Sequence, residues 1–131
     1  MKVVKYIFIA LFSLIFSACN SNETPENVAE KFAKAYVQLD YTTLKKYSTP
    51  ESLSIVDIYH GYRDATPDES DVYKKIYENA KIEINKSIIS EDGKTALVVL
   101  KIIGDESASI DFDLNLINED GSWKVVFPYN G

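Results

Sequence analysis

Eight consecutive residues, Asp57-Ile58-Tyr59-His60-Gly61-Tyr62-Arg63-Asp64, hold the only histidine and the only arginine of the chain, with two tyrosines and two aspartates beside them. An imidazole titrates near neutral pH and suits proton transfer, and a tyrosine hydroxyl can donate a hydrogen bond to a ligand. The functional reading makes this segment the mouth of a pocket. His60 shuttles protons, Tyr59 or Tyr62 donates, and Tyr36 and Arg63 complete the candidate set. The structural reading is a helix end, with a cation near the last carbonyls, Gly61 turning the chain and Arg63 paired with an aspartate. The structural reading is preferred, because acid–base catalysis requires a positioned pair that this spacing does not supply. No catalytic residue is assigned.

Other chemistries find less material. Tyr36, Tyr41, Tyr47, Tyr59, Tyr62, Tyr73, Tyr77 and Tyr129 could bind a polar aromatic ligand if they lined a cavity. At helical spacing they more simply form boundary packing with the hydroxyl toward water. Asp64, Asp68, Glu69 and Asp71 lack the spacing and central glycine of a calcium loop, and three of them sit where a helix N-terminus favours negative charge. One histidine and one cysteine cannot supply the usual zinc ligands. No GxSxG, HExxH, CxxC or glycine-rich phosphate loop occurs. The expectation is therefore no metal and no cofactor.

The single cysteine, Cys19, stands at a different kind of site. A basic start (Lys2, Lys5), an apolar run from Tyr6 to Phe16 and small residues before Cys19 form a secretory signal. The run is shorter than the roughly 20 residues that a bilayer requires. Phe16-Ser17-Ala18-Cys19 resembles a bacterial lipobox, with Phe where Leu is commonest. This predicts a signal peptide over 1–18, lipidation at Cys19 and a polar tether over 19–24. Several acyl chains on one cysteine make such an anchor effectively permanent, at about 0.8 kcal/mol per buried methylene. Five extended tether residues reach only about 17 Å, so the domain stays close to the bilayer. The expected address is the cell envelope, at the outer membrane or cell surface in a Gram-negative bacterium.

Cleavage after Ala18 removes two lysines and no acid. Basic residues fall from 14 to 12 against 20 acids, and the net charge moves from -6 to -8. Such a domain repels nucleic acid and anionic lipid surfaces, which leaves membrane attachment to the lipid alone. Residues 25–131 suit one domain with one modest core.

The elements that would position the candidate residues divide into helices, then strands. Thr24-Pro25-Glu26 is an N-cap, a proline at the first helical position and an early acid, and Val28, Phe32, Tyr36 and Leu39 follow at helical spacing. Asp40 caps a short helix carrying Tyr41, Leu44 and Tyr47. Thr49-Pro50-Glu51 starts a third that Gly61 stops, and Thr66-Pro67 starts a fourth through Tyr77. From Lys81 the period changes to two. Glu91-Asp92-Gly93-Lys94 and Glu119-Asp120-Gly121-Ser122 are hairpin turns. Thr95 to Ile103 is apolar on both faces, as in a strand covered twice, while Ile110, Phe112, Leu114 and Leu116 share one face of the next. Helices followed by four antiparallel strands make an α+β two-layer domain.

Thr24-Pro25-Glu26…Phe32, Asp40-Tyr41…Leu44 and Tyr47-Ser48-Thr49-Pro50-Glu51 are similar to small bacterial lipoproteins sometimes labelled lumazine-binding-like, within the nuclear transport factor 2-like superfamily. Glu119-Asp120-Gly121-Ser122-Trp123-Lys124-Val125 matches the last hairpin of that family. The resemblance spans residues 24–128 and implies a cystatin-like cone, in which helices pack on a curved four-stranded antiparallel sheet. It also implies homodimers through the sheet. Members of the superfamily variously catalyse, bind ligands or bind proteins, so fold does not fix function.

Two functions are weighed. The leading one is a non-enzymatic, membrane-anchored module that binds a small ligand or an envelope protein. The alternative is a small-molecule enzyme or carrier using the cone cavity through Tyr36, His60 and Tyr62. A concave face filled by Ile110, Phe112, Leu114 and Trp123 would oppose the second, and a pocket holding His60 would favour it.

Overall fold

The computed structural model describes residues 23–127 of the 131-residue chain. The signal peptide, Cys19, most of the tether and Tyr129 lie outside the described residues. Helix α1 (Pro25–Gln38) begins as its sequence dictates: Thr24 accepts from the Asn27 amide at 3.2 Å, and Pro25 occupies the first turn. Val28, Ala29, Phe32, Ala33 and Val37 are buried. Leu39 closes the helix in the left-handed region at φ 57°, its amide bonding to the Ala35 carbonyl. Asp40 caps α2 (Tyr41–Tyr47) through the Thr43 amide at 3.2 Å and the Thr43 hydroxyl at 2.6 Å.

Two expectations change in the next segment. Thr49-Pro50-Glu51 opens a short 3-10 turn (Pro50–Ser52), and α3 begins at Leu53 and runs to Ala65. The Thr49 hydroxyl lies 2.7 Å from that of Ser52, and Ser52 Oγ accepts from the Phe127 amide at 2.9 Å. These buried hydroxyls tie the turn to the last strand rather than cap a helix. Gly61 does not stop α3 either. It sits inside the helix with open space where a side chain would project. Helical geometry persists because Tyr59 and Arg63, four residues apart on one face, are both held by tertiary contacts that outweigh about 1 kcal/mol of glycine propensity. The chain breaks at Thr66 instead, and α4 runs from Pro67 to Ile76.

The sheet is a meander in the order β1-β2-β3-β4, all antiparallel: β1 (Lys81–Ile89), β2 (Thr95–Ile103), β3 (Ser109–Glu119) and β4 (Ser122–Val126). Both hairpin glycines adopt positive φ, Gly93 at 71° and Gly121 at 87°. Ala96, Val98, Leu100, Ile102, Leu114, Leu116 and Val125 form the buried concave face against α1, with Phe32 between the layers. A bulge at Asn85 resets the alternation of β1, which turns Ser87 toward α1, where its hydroxyl donates to Glu26, and leaves Ile88 exposed. β2 is central, yet among the described residues only one of its faces is covered. Leu97, Val99 and Ile103 remain half-exposed on the convex side. The result is an α+β cone. No described helix is long and apolar enough to cross a membrane.

Candidate functional site

At the end of the sheet where Ile110 and Phe112 are only half-buried, α1, α3 and α4 bring their aromatic residues together. Tyr36 projects from the last turns of α1 and stacks on Tyr59 of α3, with ring centroids 4.6 Å apart and planes 4° from parallel. The edge-to-face partner of Tyr36 is Phe112 at 4.9 Å. Phe127 leans on both tyrosines at about 6 Å. The Tyr59 hydroxyl donates to the Tyr36 carbonyl at 3.0 Å. That carbonyl lies among the last of α1, where the helix itself offers no donor.

Arg63 follows Tyr59 by one helical turn and extends over Tyr73 of α4, its guanidinium carbon 4.0 Å from the ring centre. Its Nε donates to the Tyr59 hydroxyl at 3.4 Å. The joint between the helices is held by Ser70, whose hydroxyl donates to the Arg63 carbonyl at 2.8 Å. The aspartate pairing expected of Arg63 is not what holds it: among the described residues the ion pairs join Lys31 to Glu23, Lys45 to Asp57 and His60 to Asp64. Tyrosine faces take the cation instead, and a guanidinium over a ring is favourable by about 0.5–2 kcal/mol. Among the described residues no hydrogen bond reaches the terminal nitrogens of Arg63, and no buried polar side-chain atom lacks a partner. Those nitrogens therefore face water.

They border a groove of about 470 Å³ lined by Arg63, Asp68, Glu69, Val72, Tyr73 and Ile76. Burial raises the Tyr73 hydroxyl far above the ordinary tyrosine range, with Tyr59 and Tyr36 adding to the effect. Burial likewise pushes Tyr36 up to about 12 and raises Tyr59, where the Arg63 charge works in the opposite direction. All three are neutral hydrogen-bonding surfaces at physiological pH. A second groove of about 510 Å³ lies between the end of α1 and α4, and Asp40, Asp71 and Glu78 share it with Lys74 and Lys75.

Of the five candidate residues, Tyr36, Tyr59 and Arg63 are gathered together. His60 is not, and Tyr62 joins only at the edge, its ring centre 5.8 Å from the Arg63 guanidinium carbon. His60 stacks on Tyr41 at 3.8 Å and pairs with the exposed Asp64 at 3.3 Å, one turn along α3. Tyr62 is 56% exposed. On the concave face Leu114 is fully buried, and Ile110, Phe112 and Trp123 pack against the core. The sequence reading held Tyr73 only among the eight tyrosines that could line a cavity, and it gave Val72 and Ile76 no part in a site. A signal for them existed: the break at Thr66-Pro67 folds α4 back beside α3, and Tyr73 lies ten residues beyond the sole arginine.

Residues 17–126 match the model of a family described as "Domain of unknown function (DUF4878)". No curated protein sequence matches the chain. A crystal structure from Campylobacter jejuni, described as an NTF2-like transpeptidase, is similar to this fold with a TM-score of 0.59 at 14% identity, over 81% of this chain and 100% of that one.

Proposed function

We propose that this chain, which belongs to the DUF4878 family and carries the nuclear transport factor 2-like fold, is a lipid-anchored envelope protein that binds an anionic amphiphile without catalysing a reaction. The observation that carries the binding reading is Arg63. Its charge is held on a tyrosine surface with its terminal nitrogens unbonded among the described residues, beside Val72, Tyr73 and Ile76; Asp68 and Glu69 line the same groove, so Arg63 alone supplies the attraction for an anion. A planar cation with two open donors suits a carboxylate or a related anion. The apolar side chains suit the carbon body attached to it. His60, the residue best suited to proton transfer, stands outside this groove. The transpeptidase description belongs to the Campylobacter protein, and at 14% identity the likeness carries the fold alone.

The anchor reading rests on Phe16-Ser17-Ala18-Cys19 and the signal before it. Cys19→Ala is expected to release the protein from membranes, and a variant that stays bound would overturn this part. Binding is tested with dodecanoate by calorimetry. One site per chain is expected, weakened about tenfold or more in Arg63→Met, since a hydrogen bond to a charged group contributes about 1.5–3 kcal/mol. Equal binding by Arg63→Met, or dodecanol bound as tightly as dodecanoate, would remove Arg63 from the account.

A second copy of the chain is the partner proposed for the convex sheet face, where Ile88, Ile117 and Val126 are exposed beside Leu97 and Val99. Sedimentation of Val99→Glu tests it: a dimer that the substitution dissociates supports this surface, and an unchanged dimer excludes it.

A further inference from the structure

Lysines gather around Tyr47, where the described chain begins. Glu23, the first described residue, accepts from Lys31 Nζ at 2.9 Å and from the Tyr47 hydroxyl at 3.2 Å, so the chain is clamped to α1 and α2 before the first helix begins. Lys31 and Lys46 both hang over the Tyr47 ring, at 5.8 and 5.3 Å. Lys124 reaches in from β4 and donates to the Lys46 carbonyl at 2.7 Å. Lys45, next in the chain, pairs with Asp57 at 2.8 Å. Of these four lysines, Lys31 and Lys45 are ion-paired with Glu23 and Asp57, and the ion pairs among the described residues include neither Lys46 nor Lys124, on a mature chain of charge -8. The lysines of α4 differ. Lys74 and Lys75 share their groove with Asp40, Asp71 and Glu78.

Cys19 is four residues before Glu23, which covers at most about 14 Å of extended chain. With the chain held at Glu23, the lysines around it are the residues that this length keeps nearest the bilayer. We propose that Lys31, Lys46 and Lys124 form a bilayer-facing collar that seats the domain on anionic phospholipid headgroups and turns its acidic remainder away. The inference rests on the lipid anchor at Cys19. It also refines the expectation that the domain repels anionic lipid: the net charge does so, while this one face attracts it. Each lysine at such a surface biases the orientation about fivefold, within a Debye length of the headgroups.

The test uses the full lipidated protein in vesicles of phosphatidylcholine alone or with about one-third phosphatidylglycerol, where the surface potential is appreciable. Lysines are acetylated briefly and read by mass spectrometry, with flotation of the same sample. Lys31, Lys46 and Lys124 are expected to react at least roughly threefold more slowly on anionic vesicles than on neutral ones. Lys74, Lys75 and Lys94 should be unchanged, and the protection should vanish near 1 M salt, where screening acts within about 3 Å. Protein that floats but labels alike on both vesicles would overturn the collar alone. Protein that neither carries lipid on Cys19 nor floats would overturn the anchor and the collar together.

Discussion

Replacing Tyr59 separates two contributions that the structure places in one side chain. Its hydroxyl satisfies the Tyr36 carbonyl at 3.0 Å, while the neighbouring Ala35 carbonyl already takes the Leu39 and Asp40 amides. Tyr59→Phe leaves the Tyr36 acceptor without that donor. A neutral hydrogen bond contributes about 1 kcal/mol net, and a buried unsatisfied group costs about 1–3 kcal/mol. The site is half-buried, which sets the expected loss near 1 kcal/mol. Tyr59→Ala also removes the ring that stacks on Tyr36 at 4.6 Å and supports Arg63. Large-to-small aromatic changes cost about 3–5 kcal/mol when fully buried, so about 3 kcal/mol is expected here. Urea denaturation measures both, with an unchanged m-value showing that only stability has moved. In melting temperature the Phe variant should fall by about 4–5 °C. A Phe variant as stable as the parent would refute the role of the hydroxyl, and one as damaged as the Ala variant would refute that of the stack.

The tyrosine cluster also predicts an alkaline limit. Tyr36 and Tyr73 have folded pKa values raised above the ordinary 10 by burial, Tyr36 to about 12. The stability they contribute is complete below pH 10 and is lost as pH rises toward 12. Tyrosinate absorbance should therefore show a late class of tyrosines that ionises together with unfolding, and simple independent titration near 10 would contradict this. The glycines give opposite signs. Gly61→Ala should stabilise by about 0.5–1 kcal/mol, since a methyl there meets open space inside a helix. Gly104→Ala should destabilise by about 1–3 kcal/mol, because its Cβ would lie 2.8 Å from the Ile76 carbonyl and the Tyr77 ring. Thermal melts of the two variants shifting in the same direction would show this reasoning to be wrong.

The helix starts at Thr24-Pro25, Asp40 and Thr66-Pro67, the strands and both glycine hairpins were legible because each is written in local chemistry: a capping side chain, a fixed φ, a period of two. Gly61 misled for the same reason: the local signal favoured a stop, and contacts from α1 and α4 outweighed it. Thr49-Pro50 did start helical structure, first as a 3-10 turn that leads directly into α3. Arg63 was found by its rarity, but its partner Tyr73 is set by how α3 and α4 cross, which no spacing within either helix records. The two apolar faces of β2 were legible as pattern. That one of them stays half-exposed follows from the described helices packing on the other face, a tertiary matter. His60 drew attention through residue type, and its position on the outward side of α3 became visible only through Tyr41 and Asp64.

The most direct test of the proposed function is native mass spectrometry of the full protein, extracted gently from its own envelope, beside the Arg63→Met variant. The account predicts acyl mass on Cys19 and one further anionic adduct of a few hundred daltons per chain, with that adduct lost from the variant. Protein carrying no adduct, or the same adduct with and without Arg63, would contradict the reading of the groove.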